Sequence, residues 1–96
     1  MKVKDLDKNM IDRIIRALQR TWDYVASDCF VDNLGNDDPS ITYKREEVFE
    51  IACDANFDCY HGDLEAYKAF RSLTDSYEEI TKFFAPKAFP SETYGY

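Results

Sequence analysis

Chemistry in this 96-residue chain would have to come from one stretch, CDANFDCYHGDLEAY, Cys53 to Tyr67. It holds the only His, two of the three Cys, and the carboxylates of Asp54, Asp58, Asp63 and Glu65. A thiolate and an imidazole can share a soft metal or form a nucleophile and base, whereas alternating carboxylates suit a hard cation. Each chemistry demands its own spacing, so the spacings decide between them.

Asp54, Asn56, Asp58 and Glu65 fall at positions 1, 3, 5 and 12 of a twelve-residue run. That register resembles a calcium-binding EF-hand loop, in which alternate side chains turn toward one cation and a final Glu closes the sphere with both oxygens. The resemblance covers twelve residues only. Position 6 is Cys59 where the turn wants a Gly, position 8 is His61 where an apolar residue normally pairs with a second loop, and no second loop exists. Calcium binding through Asp54, Asn56, Asp58 and Glu65 is therefore the alternative expectation, and no cofactor is the leading one.

Cys53, Cys59 and His61, with Cys29 or an acid as fourth ligand, have the spacing C-x5-C-x-H. Zinc sites pair cysteines two to four apart, so a helix-junction role with free thiols is the better reading. Cys59 and His61 are near neighbours, but nothing alongside supplies an oxyanion hole or a glycine-rich phosphate cradle. The chain is not expected to be an enzyme.

Surface recognition remains. Glu46, Glu50, Asp54 and Asp58 recur every four residues, with Glu47 alongside, and no Lys or Arg follows Arg45 in this run. Like charges at this spacing each cost a few tenths of a kcal/mol. The row is expected to meet a protein with a basic surface, without direct contact to nucleic acid or membrane. In size, acidity and lack of a catalytic motif the chain is similar in physical type to the DNA-mimic inhibitors that phages direct against restriction or CRISPR machinery. That resemblance implies occupation of a basic, nucleic-acid-binding groove, in a host cell's cytoplasm.

The elements that would position these residues are helical. Ile11, Ile14, Ile15, Leu18, Trp22, Val25, Ala26 and Cys29 recur at steps of three and four, which predicts one long helix over about 6–30, capped by Asp5 or Asp7. Arg13, Arg16 and Arg20 gather opposite that stripe as a solvated face. The loop DNLGNDDPS follows, where Asp37 and Asp38 are ordinary loop acids, and then a helix over about 43–55 with Val48, Ile51, Ala52 and Ala55 inward and Phe49 at its margin. Asp63 can cap a helix over about 63–72, and Asp75 with Glu78 forms a capping-box pattern for another over about 75–85, which Pro86 closes. Ile41 to Tyr43 is β-prone but too short for more than a token extended piece. The tail over 86–96 carries Phe89, Tyr94 and Tyr96 around Pro90, and is either a second contact surface or a segment that is loose or simply docked on its own bundle.

The expected fold is thus all-α, one domain over 1–96, an irregular bundle of about four helices with an extended tail. Trp22, Phe49, Phe70 and Phe84 are its core aromatics, ringed by Ile11, Ile15, Leu18, Val48, Ile51 and Ile80. Composition agrees: 45% hydrophobic residues is too apolar for a disordered chain, and no run approaches a bilayer span. The net charge of −7 is concentrated. Residues 1–22 carry six Lys or Arg against three Asp, whereas residues 23–65 carry two against twelve acids, which argues against nucleic-acid binding through the centre. Three scattered Cys fit reduced thiols in a cytoplasm.

Overall fold

The computed structural model describes residues 1–32, 42–55 and 62–95. Four α-helices among them make a small all-α bundle: α1 over Lys8–Asp32, α2 over Arg45–Asp54, α3 over Leu64–Arg71 and α4 over Tyr77–Ala88. A 3₁₀ turn, Val3–Asp5, precedes α1, and no helix among the described residues is long and apolar enough to cross a membrane. The long helix is the spine, packing against α2, α3 and α4, while α2 also packs on α4.

The apolar stripe explains this role. Ile14, Ala17, Leu18 and Trp22 are buried along α1, and Ile11 and Ile15 flank them half-buried. Thr21, the one buried polar residue among the described residues, donates its hydroxyl to the Ala17 carbonyl at 2.9 Å, so its burial leaves no unmade bond. The helix begins at Lys8 rather than Leu6, because Asp7 accepts a hydrogen bond from the Met10 amide at 2.7 Å and so acts as the cap.

All four expected core aromatics are buried, but Phe49 is not at a margin: it is fully enclosed. The helix α2 is wedged between α1 and α4, so two of its faces are covered and not one. Phe49 meets the Phe70 ring edge-on at 6.3 Å, Phe70 meets Phe84 at 5.7 Å, and Phe84 meets Phe83 at 4.9 Å. Edge-to-face contacts of this kind add to area burial. Ile51, expected inside, is only half-buried.

Two further expectations are corrected. Asp75 does not cap α4; Ser76 does, accepting from the Glu79 amide at 3.2 Å, while Asp75 accepts from the Val3 amide at 2.8 Å. Pro86 does not close α4, which continues to Ala88. A proline in a helix forfeits the bond to the carbonyl four residues earlier, here that of Lys82, a residue at the exposed surface. Lys87 in the same last turn lies 4.1 Å above the Phe83 ring, a cation at the favourable end of the dipole.

Of the alternatives open for the tail, docking on its own bundle is the one found. The tail is docked: Phe89 is buried, and the strand β2, Thr93–Gly95, pairs antiparallel with β1, Thr42–Lys44, in the register Thr42 to Gly95, Tyr43 to Tyr94 and Lys44 to Thr93. The token extended piece thus has a partner that local propensity could not name. Near the N-terminus, the Met1 carbonyl accepts from the Thr74 amide at 2.7 Å and from its hydroxyl at 3.1 Å.

Candidate partner-binding face

The row begins where a helix favours acids. Glu46 and Glu47 lie in the first turn of α2, whose unpaired amides attract negative charge. Lys44, the residue before the helix, offers no side-chain cap. Burial of Val48, Phe49 and Ala52 then fixes the rotation of the helix and turns Glu46, Glu47, Glu50 and Asp54 outward, all exposed. Among the described residues no Lys or Arg forms an ion pair with any of the four. The Glu46 to Glu50 and Glu50 to Asp54 repulsions are therefore not offset locally. Asp58 and Asn56 lie outside the described residues.

Tyr77 borders this face. It is 54% exposed, with its ring 6.2 Å from Phe49. Partial burial raises the pKa of its hydroxyl, and the nearby Cys53, Glu50 and Asp54 push the same way. The signal available in the sequence was its position as the first residue of α4, a turn ahead of buried Ile80. An exposed aromatic beside carboxylates gives the face an apolar contact as well as charge.

Cys53, on the same helix, is a free thiol packed against the core. Burial, with a smaller contribution from the Asp54 charge, pushes its pKa up to about 12. A metal ligand or nucleophile must be thiolate, so this environment opposes both uses. Cys59 and His61 lie outside the described residues, as does the side chain of Cys29.

Of the calcium register, Asp54 is exposed at the end of α2, and Glu65 sits in the first turn of α3, where its Oε2 accepts from Arg13 at 3.2 Å. Among the described residues no group of three or more His, Cys, Asp or Glu side chains is gathered as a metal site requires. Asp63 is engaged through both oxygens: Oδ1 accepts from Arg13 Nη2 at 2.6 Å and from the Glu65 and Ala66 amides, and Oδ2 accepts from Arg13 Nε at 2.5 Å. Arg13 is thus not part of a solvated face. Arg16 and Arg20 are exposed, as expected.

No known protein family, curated protein or solved structure matches the chain.

Proposed function

We propose that this protein acts without catalysis, by binding a partner protein through the acidic face of α2. One observation carries the reading: four carboxylates stand exposed, with no cationic partner among the described residues, on a helix whose other faces are locked in the core. A fixed row of negative charge loses little entropy on meeting cations, and it complements a surface shaped for a nucleic-acid backbone. In its most concrete form this is an inhibitor of the DNA-mimic type, from a phage or mobile element, working in the host cytoplasm. Tyr77 adds an aromatic contact at the edge of the charged row, of the kind that anchors interfaces.

The test is capture from the native host cell followed by charge reversal. The wild-type chain captures a nucleic-acid-binding protein, duplex DNA displaces it, and the complex weakens as salt rises. The triple variant Glu46→Lys, Glu50→Lys, Asp54→Lys keeps its helical circular dichroism but loses that partner. Equal capture by a folded triple variant would sink the proposal.

A further inference from the structure

Beyond Phe89 the chain leaves the bundle. Phe89 ends α4 and is buried, but Pro90, Ser91, Glu92 and Thr93 are exposed, and only Tyr94 packs partly against the core. Besides the pairing of β2 with β1, what holds this stretch is one residue. Arg45 donates its backbone amide to the Glu92 carbonyl at 3.0 Å, Nη2 to the Pro90 carbonyl at 2.8 Å and Nε to the Ser91 carbonyl at 3.3 Å. Three consecutive carbonyls are thus gathered by a single arginine. The Ser91 amide in turn donates to the Tyr94 hydroxyl at 3.0 Å, which folds the stretch onto itself.

On the inner side, Tyr43 and Tyr94 are directly paired across the ribbon, so their side chains share one face. Tyr43 meets Trp22 edge-on at 5.8 Å, and Tyr94 meets Phe89 at 5.7 Å. Trp22, Phe89, Pro90, Ser91 and Tyr94 line one shallow hollow with Gln19 of α1. The stretch therefore lies across an aromatic seam that belongs to the bundle.

The balance of forces separates the two parts. Ordering the backbone of residues 90–95 costs entropy residue by residue, against exposed hydrogen bonds of modest net worth and one half-buried ring. The helices, by contrast, share a core of fully enclosed side chains. Segments with few buried contacts and solvent-exposed bonds open locally, well before the whole.

We propose that residues 90–95 form a strap, latched by Arg45, that opens as a unit while the four helices stay folded, uncovering Tyr43 and the edge of Trp22. The strap partly covers this aromatic seam in the closed form. This inference is independent of the acidic face, since it rests on different residues and bonds.

Amide hydrogen exchange followed by NMR on the intact chain tests it. The amides of Arg45 and residues 93–95 that protection reveals as bonded exchange at least about a hundredfold faster than those of Leu18 and Trp22, and do so with little dependence on added urea. Arg45→Ala raises strap exchange by about a further tenfold and leaves the α1 amides unchanged. Because the chain has one Trp, acrylamide quenching of Trp22 rises in the same variant. Strap amides that share the protection and urea dependence of α1 would overturn the proposal on the wild-type chain alone. An Arg45→Ala chain that folds with unaltered strap protection would overturn the latch.

Discussion

Arg13 and Asp63 are fifty residues apart in sequence and joined by two parallel hydrogen bonds, Nε to Oδ2 at 2.5 Å and Nη2 to Oδ1 at 2.6 Å. The same carboxylate caps α3 through the Glu65 and Ala66 amides. Starting α3 and seating it on α1 are thus one event.

The pair makes stability depend on acid. The Arg13 guanidinium, helped by the two amides, holds the Asp63 carboxyl below its ordinary range, although partial desolvation opposes this. A depressed folded value means the contribution is complete above the ordinary carboxylate pKa, near 4, and is lost as pH falls through the lower folded value. Urea midpoints measured from pH 7 downward will fall across that window. Asp63→Asn will lower the midpoint at pH 7 and flatten the acid limb. Asp63→Ser, which restores a cap without a charge, will recover part of the midpoint but none of the pH dependence.

Replacing Phe49 tests the wedge geometry of α2. Phe49→Ala should cost about 3–5 kcal/mol by urea unfolding, because a fully enclosed ring leaves a cavity beside Phe70 and Tyr77. Ile51→Val, at a half-buried site, should stay near the low end of the usual range of about 0.5–1.5 kcal/mol. Equal losses would mean that Phe49 does sit at an edge.

Capping of α4 has a simple discriminating pair. Ser76→Ala should destabilise by about 1 kcal/mol, since it strips the acceptor from the Glu79 amide. Glu78→Gln should change stability by less than about 0.5 kcal/mol, because Glu78 serves no cap and makes only an exposed pair with Lys82 at 3.1 Å. A larger loss for Glu78→Gln would restore the capping box.

Thiol labelling reads the environment of Cys53. In a chain carrying Cys29→Ser and Cys59→Ser, reaction with a disulfide reagent at pH 8 should run about a thousandfold slower than for the urea-unfolded chain. That factor follows from a pKa of about 12 against an ordinary value of 9.0. Fast labelling of the folded chain would place the thiol in solvent.

Local signals in the sequence were strong wherever one helix decided its own fate. The stripe from Ile11 to Trp22, the Asp7 and Asp63 caps and the core aromatics were all legible, because 3.6-residue periodicity and capping are properties of neighbours. Contacts between distant elements were not. Arg13 looks solvated until α3 is brought beside it, and Asp75 looks like a cap until the Val3 amide arrives to take its carboxylate. Pro86 reads as a terminator because a sequence does not reveal that the carbonyl it orphans belongs to a residue at the exposed surface, Lys82. The exposed acids at Glu46, Glu47, Glu50 and Asp54 were legible as a face, but Tyr77 joined them only through the packing of α4 on α2.

The attachment of Met1 and Val3 to Thr74 and Asp75 spans 72 and 73 residues. Its docking site, the junction of α3 and α4, does not exist until Asp75 has been made. During synthesis residues 1–3 therefore have nothing to bind while α1 is already long enough to form, and they wait for their place until the α3–α4 junction has emerged.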